Sequence, residues 1–326
     1  MLSRWTCAIV CCTALSAAGA YPPAAAAAYP ERPIRIIVPF APGGNIDLNA
    51  RTVAPGLSAE LGQSVVVENR GGAGSRIGTE YVAKSPPDGY TFLVGASGSL
   101  TINPVFSANV GYDPIRDFAP TSTISFVPIV LVVHPALPAR TAKEFIALAR
   151  ARPGQILMAS AGAGSNTHLT GELFQVVTGV KFTHIPYKGG GPALIDLIAG
   201  QTQLMFDQVT TSTPYVKAGK VRAIAVAYSK RSPVLPDVPT MVESGVHDFE
   251  AATFAALFLP SAVPKEIVNR VHGALLKVLD LPTTREAFSR LGAEVIKSTP
   301  EELAKRVRDD FARWKRVQQQ TGIRID

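Results

Sequence analysis

Cysteine is nearly absent. The 326-residue chain has three, Cys7, Cys11 and Cys12, all within its first dozen residues, so the chain beyond a cleaved leader has no thiol. Long apolar runs are missing as well. The longest strand-like run beyond the leader, "FVPIVLVV" at 126–133, falls well short of the ~20 residues of a membrane span. Metal-ligand spacing is lacking, because His134, His184, His247 and His272 stand in no ligand-type pattern with Cys, Asp or Glu. Lys and Arg outnumber Asp and Glu, 32 to 25, but they are dispersed. With neither a basic cluster nor an aromatic series, nucleic-acid binding has no support, although a mildly basic surface favours anionic ligands. The glycines Gly72, Gly74 and Gly78 of "GGAGSRIG" are spaced one residue too long for a dinucleotide fingerprint and have no acidic residue placed to read a ribose. A tight turn is the better reading, and no cofactor is expected. In "GASGS" around Ser97 the second glycine comes directly after the serine, which is not a nucleophile elbow, and no His-Asp partnership is legible.

The first 28 residues carry one charge, Arg4, then an apolar run from Trp5 to Leu15, then small residues. This is the pattern of a secretory signal peptide, with cleavage after Ala20 or Ala28. No cysteine sits in a lipid-attachment pattern, so the expected product is a periplasmic protein without membrane insertion. The remaining length predicts two domains.

Short β-rich runs ("IRIIVPF", "SVVVEN", "YTFLVGA", "VPIVLVV", "QILMAS", "KFTHIP", "QLMFD", "RAIAVA", "ATFAALFLP") alternate with helix-length segments. Such alternation predicts an α/β fold with parallel sheets covered by helices. Thr299-Pro300-Glu301-Glu302 forms a capping box, with Leu303, Val307, Phe311, Trp314 and Val317 on one face of the helix it opens and Gly322 closing it. Pro55-Gly56 predicts a kink or two short pieces in the helix that begins at "DLNAR". Two stretches, "VPIVLVVHPALPARTAKEFIALA" and "ATFAALFLPSAVPKEIVNRVHGAL", share a strand, two prolines and an amphipathic helix. They predict paired crossings between lobes near 126–134 and 252–260. Residues 29–127 and 254–326 then form lobe 1, and 128–253 form lobe 2.

In such a protein ligands meet the strand-to-helix loops. Five of these, "PFAPGGNID", "VGASGSLTINP", "ASAGAGSNTHLTGELF", "IPYKGGGPALIDL" and "MFDQVTTSTPY", are rich in Gly, Ser, Thr or Asn. They offer backbone N–H groups and hydroxyls, a neutral cradle for a small anion. Gly43 and Gly44 would let a carboxylate approach the backbone, or simply permit a turn. Asp47, four residues before Arg51, is either a ligand contact or an ion-pair and dipole partner. His168 either touches ligand or makes a structural hydrogen bond. Asp207 either caps a turn or accepts from a ligand hydroxyl or amine, and Lys188 reads as solvated.

These loops, with "VVVENRGGAGSRIG", "PPDGYTFLVG", "YDPIRDFAP" and "KRSPVLPDVPTMVESG", resemble the periplasmic solute-binding receptors of tripartite tricarboxylate transporters, the Bordetella uptake gene family. The resemblance covers the whole mature chain in order. It implies a two-lobed periplasmic-binding-protein (Venus flytrap) fold with two mixed, mostly parallel sheets. It also implies a monomeric receptor that closes on a small carboxylate and passes it to integral-membrane transporter subunits. Carried over by position, Phe40, Gly43 and Gly44 would meet one carboxylate through backbone amides and ordered water. Tyr187, with Gly190 and Ala193 of "KGGGPA", would hold it from the other lobe, and Ser97, Ser165, Thr167, His168 and Asp207 would line the rest. Asn45 and Ile46 depart from the smaller or hydroxylated residues expected there. The alternative reading is a secreted hydrolase of small esters.

Overall fold

A computed structural model describes residues 29–107, 109–247 and 249–323, so the expected leader and its cleavage sites lie outside the described residues. The first lobe begins with β1 (Ile34–Val38), α1 (Asn45–Leu61), β2 (Val65–Asn69), α2 (Arg76–Ala83), β3 (Thr91–Ala96) and α3 (Asn103–Phe106). A long strand, β4 (Phe118–Val133), leads to α4 (Ala142–Ala151), β5 (Leu157–Ser160), α5 (Asn166–Thr178), β6 (Thr183–Pro186) and α6 (Gly190–Ile198). The second lobe is completed by β7 (Leu204–Gln208), α7 (Val209–Lys217) and β8 (Arg222–Val226). The chain then returns through β9 (Ala252–Pro260), α8 (Lys265–Asp280), α9 (Pro282–Leu291), β10 (Glu294–Val295) and α10 (Pro300–Thr321). Among the described residues no helix is long and apolar enough to cross a membrane.

Strands run in the order β2-β1-β3-β9-β4-β7-β5-β6, with β8 and β10 also paired to β4. The outer ladders, β1 with β2 and β3 and β5 with β6 and β7, are parallel, as crossover helices require. Ladders made by β4 and β9 are antiparallel, so both sheets are mixed. Antiparallel partners such as β4 and β9 are far apart in the chain, which an alternation of strand and helix does not reveal. Residues Phe118 to Pro128 of β4 pair with β9, and Ile129 to Val133 pair with β7. At this change of partner Ile129 N–H donates to Ala251 O, Ala251 N–H to Ala227 O, and Ala227 N–H to Ile129 O. β9 itself pairs with β3 and the first part of β4.

The strands read as apolar runs because helices cover them on both faces. Ile34, Ile36, Ile37 and Val38 of β1 are all fully buried. The first lobe packs Val53, Leu57, Leu275 and Val278 from α1 and α8 onto this sheet. The second has an aromatic core of Phe145, Phe174, Phe206 and Phe249. Thr299 caps α10 in the expected box with Glu302, and Leu303, Val307 and Trp314 are buried. Pro55, by contrast, does not break α1, which runs unbroken from Asn45 to Leu61. It lies on the exposed face, where the one helical hydrogen bond it forfeits is exchanged for water.

Candidate functional site

The loop after β1 reaches α1 through Gly43, whose φ of +82° lies in the left-handed region that favours glycine. Its N–H donates to Asp47 Oδ2 at 2.9 Å, while Asp47 Oδ1 accepts from Arg51 Nε at 3.0 Å and Asn69 Nδ2 at 2.9 Å. Burial alone would raise the Asp47 carboxyl, but the bonds from Arg51, Gly43 and Asn69 outweigh it and hold the group below its ordinary value. Asp47 is therefore a brace for the glycine loop, the ion-pair reading of the two that the sequence offers.

That loop meets the opposite lobe directly. Ala41 N–H donates to Lys188 O at 3.0 Å. A Cβ on Gly44 would stand 3.5 Å from Gly190 N, and one on Gly191 would overlap Pro42 O. A second seam runs where Gly74 faces the Ala163 carbonyl, which any Cβ at Gly74 would overlap. Asn103 Nδ2 holds that turn by donating to Gly74 O at 2.8 Å. A third brings Gly98 against the start of α5, 3.2 Å from Asn166 N to an ideal Cβ. Asn45 Oδ1 accepts from Thr210 Oγ1 at 2.9 Å, tying α1 to α7 across the lobes. The lobes are closed on one another, and glycine at these positions sets how near they come.

Between them lies a cavity of about 30 Å³. Phe40, Ile46, Ala96 and Ala161 form its apolar wall; Ser165, Asn166, Thr167, Gln208 and Thr253, with Gly98, form the polar one. The volume holds little more than a water molecule, so a carboxylate enters only as the lobes part. Among the described residues no Lys, Arg or His lines it. Instead α1, α5 and α7 begin at it, through Ile46, Ser165 with Asn166 and Thr167, and Gln208. Helix starts supply N–H groups without helical partners and a positive dipole end, so three of them favour an anion without a fixed cation.

Of the expected residues, Phe40, Ser165 and Thr167 line this cavity, and Gly43, Gly44 and Gly190 form the seam beside it. Thr167 Oγ1 accepts from Ala161 N–H at 2.8 Å, and Ser165 Oγ accepts from His168 N–H at 3.3 Å, shaping the loop from within. Ala193 is fully buried in the core that includes Phe40 and Ile46. Four others stand elsewhere. Tyr187 lies at the cleft mouth, in a wider cavity with Ala41, Gly74 and Ala163, and its hydroxyl donates to Asp196 Oδ2 at 2.7 Å within its own lobe. Burial and that carboxylate push the Tyr187 hydroxyl up to about 12. Ser97 opens onto a different cavity, on the side of α10, and accepts from Phe254 N–H at 3.5 Å. His168 sits behind the loop, its Nδ1 accepting from Gly164 N–H at 3.2 Å.

Asp207 is fully buried beneath the glycine turn, with Oδ2 accepting from Thr211 and Ser212 hydroxyls, both at 2.6 Å. Burial pushes its carboxyl up to about 6 against the pull of those bonds. Its neighbour Gln208 faces the cavity instead. The loop is legible in the sequence; the phase of the strand's two-residue period, which chooses between Asp207 and Gln208, is not. Ile46 supplies apolar wall and Asn45 a bond between lobes, so the two departures from the expected pattern both have work at the site.

A model of the tripartite tricarboxylate transporter family receptor matches residues 49–323. BugT of Bordetella pertussis is 38% identical over 312 residues, 95% of this chain and 96% of its own. Among solved structures, the periplasmic binding protein BugD is similar with a TM-score of 0.88 at 38% identity, over 91% of this chain and 99% of that one. R. palustris Rpa4515, solved with adipate, gives 0.88 at 37% identity over 91% and 99%. MatC from Rhodopseudomonas palustris, with bound malate, gives 0.86 at 33% over 89% and 99%. The fold, the closed two-lobed cleft and these relatives together place the chain in the Bug family of tripartite tricarboxylate transporter receptors, to which it belongs.

Proposed function

We propose that this receptor captures a small dicarboxylate between its lobes, delivers it to the membrane subunits of a tripartite transporter, and performs no chemistry on it. The observation that carries this reading is the neutral cavity on which three helix N-termini converge, between loops that touch across the cleft. The acids bound by Rpa4515 and MatC, adipate and malate, support the choice of ligand class. Phe40, Gly43, Gly44, Ser165, Thr167 and Gly190 remain proposed ligand-site residues, joined by Asn166 and Gln208. The lobes divide as 29–127 with 254–326 and 128–253, bending where β4 changes partner and where the chain returns at Ala251. The protein acts as an exported monomer.

A hydrolase would need a reachable nucleophile. Ser160 and His184 stand at 2.6 Å, yet Ser160 is fully buried in β5 and does not line the cavity. Calorimetric titration with mono-, di- and tricarboxylates, run beside an assay on p-nitrophenyl acetate, tests both readings. A dicarboxylate that binds without turnover is the expected result. Ester turnover abolished by Ser160→Ala would overturn it.

A further inference from the structure

Two histidines lie behind the 161–167 loop, His168 in the first turns of α5 and His184 on β6. Their rings stack with centroids 3.7 Å apart and planes 13° from parallel. One offers a bare nitrogen to the loop, and the other meets the Ser160 hydroxyl at the loop's start. His168 Nδ1 accepts from Gly164 N–H, and a backbone amide only donates, so Nδ1 is unprotonated and the ring's proton sits on Nε2, 3.4 Å from Glu172 Oε1. Ser160 Oγ accepts from Gly162 N–H at 3.1 Å and lies 2.6 Å from His184 Nε2, a bond in which either atom can donate. Gly164 thus depends on a neutral imidazole, and Gly162 on the Ser160 hydroxyl that the second ring holds in place.

We propose that His168 and His184 are positioning residues of the ligand site, His168 anchoring the 161–167 loop directly through an unprotonated Nδ1 and His184 through Ser160, so that a proton on His168 Nδ1 releases the loop. The consequence for binding rests on the carboxylate-receptor reading; the anchoring itself does not. A proton on His168 Nδ1 would face the Gly164 N–H donor to donor. One on His184 Nε2 would donate to Ser160 Oγ, which keeps a second lone pair for Gly162 N–H, so the release runs through His168. The loop so released carries Ala161, Ser165, Asn166 and Thr167 of the cavity wall, and Gly162 and Ala163 of the seam against Gly74.

The charged or titratable groups acting on the pair are the partner ring and Glu172, all on α5 and β6; β5 contributes the uncharged Ser160. Burial, then the His168 ring, hold His184 down to about 4, with Glu172 opposing. Burial would raise Glu172, but the hydrogen bond and charge of His168 hold it below its ordinary value. Glu172 stands at the Nε2 side of His168, and two charged rings in stacking contact would repel one another.

The test needs no ligand, so its failure is separable from failure of the carboxylate reading. Long-range proton–nitrogen spectra of protein labelled at histidine and glycine, recorded from pH 7.5 to 5.0, report ring tautomers, and amide exchange reports Gly164. We expect bare Nδ1 on His168 at pH 7.5. Protonation of His168 and an at least tenfold loss of Gly164 protection should share one titration curve. Glu172→Gln should move both to lower pH together, by about one unit. In His168→Asn, whose Oδ1 replaces Nδ1 as acceptor, Gly164 protection should not vary across the range. A proton on His168 Nδ1 at pH 7.5, or a ring that titrates while Gly164 protection stays constant, overturns the proposal whether or not the variants fold.

Discussion

Gly44 and Tyr187 border the same cleft, yet substitution at the two should weigh very differently. A Cβ at Gly44 would make ordinary contact with Gly190 and Gly191, 3.5 to 3.8 Å away, but the γ-carbons of valine would run into that backbone and prop the lobes open. Gly44→Val should keep its circular dichroism and lose at least about tenfold in affinity by calorimetry, one decade being about 1.4 kcal/mol. Tyr187→Phe removes a hydroxyl already given to Asp196 and should change affinity by less than about threefold. Equal affinity for parent and Gly44→Val would remove the glycine loop from the site. Asp207 calls for a pH measurement. Its carboxyl is raised from 3.8 to about 6, so the stability it contributes is complete below 3.8 and lost as pH rises through about 6. Asp207→Asn keeps an acceptor for Thr211 and Ser212 and cannot ionise. Its melting temperature relative to the parent should therefore rise between pH 4 and 7.5, by an amount on the order of 2 kcal/mol in stability. A flat difference across that range would contradict the assignment.

Among the elements, the packing of α1 on α8 turns on Gly56. A Cβ there would stand 2.7 and 2.9 Å from the γ-carbons of Val278, closer than side chains tolerate. Gly56→Ala should destabilise by about 1–3 kcal/mol in urea unfolding, and Val278→Ala in the same chain should recover part of the loss. Full additivity of the two changes would show that the helices do not meet at this point. Glycine here serves helix packing, where the dipeptide Pro55-Gly56 reads as a break. Strand and capping signals did better, since nine apolar runs became nine strands in order and Thr299 and Glu302 form their box. These are local patterns of a few residues. What the sequence hid was relational: β4 pairing with β9 across more than a hundred residues, Tyr187 bonded to Asp196, Gln208 rather than Asp207 facing the cavity. In each case the deciding partner belongs to another element or to the opposite face of the same one.

At the scale of the whole molecule, lobes that part to admit an acid and draw together on it predict a smaller radius of gyration when ligand is bound than when it is absent. Solution scattering with saturating dicarboxylate measures this, and an unchanged radius at proven occupancy would contradict lobe closure. The way the lobes are joined adds a constraint. Around Ile129, Ala227 and Ala251 the connecting segments lie side by side and are hydrogen-bonded to one another, so they bend together as a ribbon does and resist sliding past each other. A ribbon of this kind leaves one easy coordinate, the angle between the lobes. Under the proposed reading, acids of increasing chain length should differ mainly in how far they hold that angle from shut, so that the length of a molecule would be converted into a rotation that a membrane partner could read.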